Sequence, residues 1–239
     1  MLSDREVHVW DARFDPSKVS ANHQTQLLSQ NERDRAARFH FAKDRARFIH
    51  ARGVLRTLLG CYLDVPPENV TFRYGSAGKP ELSSSHNINL HFNVSHSHDH
   101  LLVAIARNCA VGIDIEMIRP EIDIEAIAGR FFSSAETQQL RTLTGTQKHE
   151  GFFNGWTRKE AYLKARGEGI GEGLGQFAVS LIPGKPARLL FDQRDPEAGT
   201  RWSIRELSAE SRLSAALAVE AADFELKRFQ WDALSRERD

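Results

Sequence analysis

Cysteine is scarce in this 239-residue chain: Cys61 and Cys109 are the only two, far apart and without a CxxC spacing. That usage belongs to a reducing compartment and reads as two buried or half-buried thiols, not as a disulfide framework. An excess of positive charge is also missing, because 32 Lys plus Arg balance 32 Asp plus Glu. No global basic field recruits nucleic acid or an anionic membrane, so any polyanion must be held by a local cluster. The sequence has no run of 18 apolar residues, and its first residues, MLSDREVHVW, show no basic segment followed by an apolar stretch. Neither a membrane span nor a secretory leader is expected, and a cytoplasmic location is. Low-complexity tracts are absent as well; GEGIGEGLG, Gly167 to Gly175, is the only glycine-dense segment.

What remains is an ordinary globular composition, 41% hydrophobic and 27% charged. Val7 to Trp10 alternates like a short strand. Ser29 to Leu63 reads as a long helical region dense in arginine, with Phe48, Ala51, Leu55, Leu58 and Leu59 at helical spacing and Pro66-Pro67 to end it. Strand-like runs follow at Val70–Tyr74, Leu101–Arg107 and Val111–Glu116, with a short one at Phe92–Ser95. Beyond Arg119-Pro120 the order repeats, with a helical region over Glu136–Ala165 and then strand-like runs at Phe177–Leu181, Arg188–Phe191, Arg201–Leu207 and Leu213–Glu220. The chain thus predicts an α+β fold of two similar subdomains, residues 1–119 and 120–239, each a long helix packed on a small antiparallel sheet. A cleft between such halves is a natural ligand site.

The stretch VGIDIE, Val111 to Glu116, alternates so that Asp114 and Glu116 share one strand face. At a separation of about 6–7 Å and an effective dielectric of about 20, two such charges repel by roughly 2–3 kcal/mol. Relief of that repulsion predicts that Asn or Gln at either position leaves stability unchanged or slightly raised. WTRKEAYLKARG, Trp156 to Gly167, is a helix on which Glu160 and Lys164 stand at i, i+4, a spacing that also suits a plain surface ion pair. Three carboxylates beside a lysine suit a divalent metal next to a phosphate, since Mg²⁺ takes hard oxygen ligands and completes its octahedron with waters and phosphate oxygens.

FNVSHSHDHL, Phe92 to Leu101, carries His96, His98 and His100 at alternate positions. A zinc reading lacks a fourth ligand of convincing spacing, whereas Ser95-His96 at a strand end could hold a phosphate. SAGKPEL, Ser76 to Leu82, is a turn from which Lys79 projects. RFFSSAE, Arg130 to Glu136, has the makings of a helix N-terminus with Ser133 or Ser134 as cap and Glu136 in the first turn. Arg52, inside FIHARGVL, is a candidate anion ligand among arginines that otherwise read as a solvated face.

In this order GKP, FNVSHS, GIDIE, RFFSSAE and WTRKEAYLKARGEGI resemble the 4'-phosphopantetheinyl transferases, of the long two-subdomain type that activates peptide and polyketide synthetases. The resemblance runs from the arginine-rich helix to about Gly175. It implies a pseudo-twofold pair of α+β subdomains with coenzyme A in the cleft, acting as a monomer. The reaction implied is transfer of the phosphopantetheine arm to a serine of an apo acyl or peptidyl carrier protein of fatty-acid, polyketide or nonribosomal peptide biosynthesis, releasing adenosine 3',5'-bisphosphate. By motif, Asp114, Glu116 and Glu160 look like Mg²⁺ ligands and Lys164 like the lysine that neutralises the pyrophosphate. Lys79, Ser95 and His96 would hold the phosphates of coenzyme A, with Arg52 or Arg47 toward the adenosine end. Glu160 and Glu136 are both candidate general bases. A metal-dependent phosphodiesterase or nuclease, and a coenzyme A binding protein without turnover, are the alternatives; neutral net charge argues against a nucleic-acid substrate.

Overall fold

The computed structural model describes residues 2–17, 21–75, 78–169, 173–207, 210 and 212–232. Ser76 and Ala77 of the SAGKPEL turn and Ile170, Gly171 and Glu172 of the glycine-dense segment lie outside the described residues. In chain order the elements are β1 (Glu6–Arg13), α1 (Ala21–Leu27), α2 (Gln30–Ala37), α3 (Ala42–Leu63), β2 (Phe72–Tyr74), β3 (Pro80–Leu82), β4 (Leu90–Ser97), β5 (His100–Arg107) and β6 (Val111–Met117). They continue with α4 (Ile124–Phe131), α5 (Ser134–Arg141), α6 (Gly145–Arg166), β7 (Phe177–Val179), β8 (Leu189–Asp192), α7 (Ala198–Arg201), β9 (Ser203–Glu206), β10 (Leu213–Val219) and β11 (Glu225–Gln230).

Four layers carry the core. Val54, Leu55, Leu58 and Leu59 of α3 pack on Phe92, Val103 and Ile105 of a sheet ordered β11-β1-β5-β4. The other face of that sheet, with Val9, Leu102 and Ala104, meets Ile113, Ile115 and Leu217 of a second sheet ordered β6-β10-β9. Beyond it Ala161, Tyr162 and Ala165 of α6 close on Ala216 and Ala218. Period-two alternation is what lets each strand serve two layers at once. The α+β expectation holds, and both long helices, α3 and α6, are 22 residues long.

Several details depart from the expected elements. The region Ser29–Leu63 divides into α2, opened by a capping box between Ser29 and Glu32, and α3, opened at Phe41 without a side-chain cap. At the break Phe39 folds back onto Phe48, ring centroids 5.3 Å apart, a contact a continuous helix would forfeit. Glu136–Ala165 is likewise cut into α5 and α6, where Gly145 takes φ +55°. Helix α4, capped by Asp123, was not anticipated. Nor was β11, which pairs parallel with β1, so the first sheet is mixed instead of purely antiparallel. Strand pairing also crosses residue 120 in both directions: β11 joins the sheet of the first half, and β6 joins β10 and β9 of the second. Cys109 is half-buried, whereas Cys61 is exposed, contrary to the reading of two shielded thiols.

One glycine decides where β6 lies. A Cβ on Gly112 would come within 2.1 Å of the Ala161 carbonyl oxygen and 2.4 Å of the Ala165 nitrogen. Only a residue without a side chain lets the strand rest directly on the backbone of α6. That contact sets Asp114, two residues along β6, beside Lys164.

Candidate active site

The carboxylate of Asp114 is buried, 3% exposed, and its Oδ1 accepts two charge-assisted or hydroxyl bonds: from Lys164 Nζ at 2.6 Å and from Ser95 Oγ at 2.8 Å. Lys164 Nζ also donates to Ser95 Oγ at 3.1 Å and reaches the Ile113 carbonyl at 3.4 Å. The repulsion expected within VGIDIE is therefore already opposed by an ammonium from α6. Neutralising Asp114 would remove that pairing, which overturns the expectation of unchanged or raised stability at this position.

Glu160, one turn before Lys164 on the same helix, is 4% exposed. Burial first, then the neighbouring Asp114, pushes its carboxyl up to about 7, with Glu116 adding to the effect. Glu116 is raised by the same two causes in the same order. Two oxygens in this group, Asp114 Oδ2 and Glu160 Oε1, are buried with no hydrogen-bond partner. Buried unpaired carboxylate oxygens are costly, and a cation is the partner that suits them. Among the described residues no three His, Cys, Asp or Glu side chains already stand as a metal cage. Mg²⁺ requires none, since one or two carboxylates, waters and substrate phosphates complete its shell. The two free oxygens of Asp114 and Glu160 suit that ion, with the rest of its shell left to water and phosphate.

Lys79 reaches across from the β2–β3 hairpin to donate to the carbonyl of Lys164 at 2.5 Å, at the C-terminal end of α6 where a cation is favoured. Burial lowers its ammonium below the usual lysine range, and Lys164 adds to this. The structure thus gathers Lys79, Ser95, Asp114, Glu116, Glu160 and Lys164 along the β6–α6 contact.

Other candidates lie elsewhere. His96 follows Ser95 on β4 and so takes the opposite face, where it is exposed. Arg52 lines a separate cavity of about 540 Å³ with Glu32, Arg35, Arg38 and Tyr74, and its Nε is 3.9 Å from Glu32 Oε1. Arg47 binds Asp99 at 2.8 Å and ties α3 to the β4–β5 turn. Glu136 is fully buried and completely bonded: it accepts from Ser133 N and Oγ, from Lys159 Nζ at 2.7 and 2.9 Å, and from Val179 N at 2.9 Å.

Two residues that shape the site escaped the sequence reading. Gly112 carried a signal, since an isolated glycine inside a strand pattern marks close backbone approach. Lys159 carried none, because its partner Glu136 is 23 residues away and the pairing is tertiary.

The profile of the 4'-phosphopantetheinyl transferase superfamily matches residues 110–219, and that of the 4'-phosphopantetheinyl transferase N-terminal region matches residues 12–108. The 4'-phosphopantetheinyl transferase HetI of Nostoc sp. is 41% identical over 220 residues, 92% of this chain and 89% of its own. The 4'-phosphopantetheinyl transferase psf-1 of Bacillus pumilus is 37% identical over 179 residues, 74% of this chain and 75% of its own. Among solved structures, a holo-(acyl-carrier-protein) synthase from Bacillus anthracis in complex with CoA overlaps 46% of this chain and 93% of its own, at a TM-score of 0.37 and 24% identity. By its profile matches and by a relative that aligns with nearly its whole length, the chain belongs to the 4'-phosphopantetheinyl transferase superfamily.

Proposed function

We propose that this chain transfers the 4'-phosphopantetheine arm of coenzyme A to a serine hydroxyl of an apo acyl or peptidyl carrier protein and releases adenosine 3',5'-bisphosphate. The observation that carries the proposal is the buried pair of unpartnered oxygens, Asp114 Oδ2 and Glu160 Oε1, beside the Lys164 ammonium. Asp114, Glu116 and Glu160 would hold Mg²⁺, which supplies positive charge next to the scissile pyrophosphate when bound.

Attack of a serine hydroxyl on a phosphoanhydride is helped mainly by positioning and by neutralising charge on the bridging and non-bridging oxygens. Lys164 and Lys79 face that task from the two halves of the chain. Ser95 Oγ already accepts from Lys164 and Ile115 and donates to Asp114, so its part is to orient these groups, with His96 and Arg52 left for the outer phosphates and the adenosine end. As the proton acceptor for the serine, Glu160 is better placed than Glu136, because it stands one turn from Lys164 in the same site; general-base help is worth about 10²–10⁴-fold. Glu136 accepts five hydrogen bonds from four donor atoms and is 0% exposed.

Directly after Glu116 the chain lines a groove of about 880 Å³ with Met117, Ile118 and Pro120 and with the cations Arg119, Lys148 and Arg212. Glu121 and Glu150 line it as well, so the rim is mixed in charge, and it is the apolar floor beside Glu116 on which we propose that the carrier docks. With every candidate group supplied by one chain, the proposed unit is a monomer. The scarcity of cysteine suits the cytoplasm, and among the described residues no helix is long and apolar enough to cross a membrane. The test is to incubate the protein with Mg²⁺, coenzyme A and a panel of fatty-acid, polyketide and peptide carrier domains. The expected result is a carrier heavier by one phosphopantetheine; unchanged mass across the whole panel overturns the proposal.

A further inference from the structure

β6 is an edge strand. Among the described residues its one sheet neighbour is β10, so the amides of Ile113, Ile115 and Met117 need partners on the other side. They find them in side chains of β4: Ile113 N donates to Asn93 Oδ1 at 2.9 Å, Ile115 N to Ser95 Oγ at 3.3 Å and Met117 N to Ser97 Oγ at 3.0 Å. Alternate side chains of one strand thus stand in for the backbone of another, with the same two-residue period on both. All three are buried, at 6%, 7% and 8% exposure.

The two serines repeat one arrangement. Ser95 accepts from the amide after Asp114 and donates to the Asp114 carboxylate. Ser97 accepts from the amide after Glu116 and donates to Glu116 Oε2 at 3.4 Å. A serine hydroxyl has one donor and two acceptor sites, so it can fix a strand and aim a carboxylate at once. Here the alternation of FNVSHS matches that of GIDIEM residue for residue.

We propose that Ser97 is a positioning residue for Glu116: its hydroxyl locks the C-terminal end of β6 through Met117 and holds the carboxylate through Oε2, as a ligand that would take a cation. The role rests on the reading that Asp114, Glu116 and Glu160 hold a divalent ion. It explains why a polar residue is kept buried at a position where Val or Ile would suit the strand better. Residues that orient metal ligands commonly cost 10- to 100-fold in metal affinity when removed.

The experiment is a titration of the full chain with Mn²⁺ in the presence of coenzyme A, followed by electron paramagnetic resonance of the free ion. Ser97→Ala is expected to weaken Mn²⁺ binding about 10-fold, and Ser97→Thr, which keeps the hydroxyl, to restore it. In turnover the Ala variant is expected to need more Mg²⁺ for half-maximal rate while its KM for coenzyme A stays the same. Thermal unfolding without metal reports whether the variant is folded; should Ser97→Ala fail to fold, Ser97→Cys keeps the volume and is expected to weaken binding in the same direction. Wild-type Mn²⁺ affinity in a folded Ala or Cys variant overturns the role of Ser97, as does equal loss in the Ala and Thr variants. Absence of Mn²⁺ binding by the unaltered protein overturns the metal reading beneath it, and the two failures are told apart by that control.

Discussion

Helix α6 presents two lysine–carboxylate pairs five residues apart, and they differ in how completely they are closed. Lys159 and Glu136 are both 0% exposed, and every carboxylate oxygen and the ammonium have further partners, including the Phe177 carbonyl. Lys164 and Asp114 are 29% and 4% exposed, and Oδ2 of the aspartate is left without a partner. A buried pair with all its bonds made joins α5, α6 and β7 and has no capacity for a ligand. A pair with one oxygen unpaired and a lysine open to solvent holds capacity in reserve. Completeness of hydrogen bonding, more than burial, separates the pair that builds the fold from the pair that binds.

The comparison can be broken at either pair. Lys159→Met leaves a buried carboxylate unpaired and is expected to cost about 3–5 kcal/mol, measured by denaturant unfolding. Gly112→Ala drives a methyl into the α6 backbone; overpacking of that kind is expected to cost about 3 kcal/mol, and to lower transfer as well because it moves Asp114 away from Lys164. Asp114→Asn keeps the shape and is expected to cost only about 1–2 kcal/mol through the lost charge-assisted bond, yet to reduce transfer by about 10²-fold or more. Comparable stability losses in Lys159→Met and Asp114→Asn would erase the distinction between the pairs.

The pH dependence sharpens it further. Glu160 has its carboxyl raised to about 7 in the fold, against an ordinary value of 4.5. Between those values the folded chain holds a proton that the unfolded chain has lost, so this group stabilises at low pH and its contribution fades as pH rises toward 7. The slope for one proton is at most about 1.4 kcal/mol per pH unit. Thermal unfolding of the metal-free protein from pH 5 to 8 is expected to show this decline, with Glu116 adding the same sign, and Glu160→Gln is expected to flatten it.

Much of the site was legible because its residues sit at short, regular spacings. Asp114 and Glu116 are two apart on a strand, and Glu160 and Lys164 four apart on a helix, so each pair declares a common face. The same rule puts Ser95 and His96 on opposite faces of β4, the first buried and the second exposed. What stayed hidden was tertiary: Lys159 beside Glu136, and the β4 side chains along β6. Strand β11 was hidden differently, because ELKRFQ is half-exposed and charged and carries no apolar alternation; only its parallel pairing with β1, more than 200 residues earlier, makes it a strand.

The most direct test of the account is the mass of an apo carrier protein after incubation with coenzyme A and either the unaltered chain or Asp114→Asn, with Mg²⁺ present or chelated. The account predicts a gain of one phosphopantetheine with the unaltered chain and Mg²⁺, and almost none in the other three arms. Equal gains with Asp114→Asn, or with Mg²⁺ chelated, would contradict it.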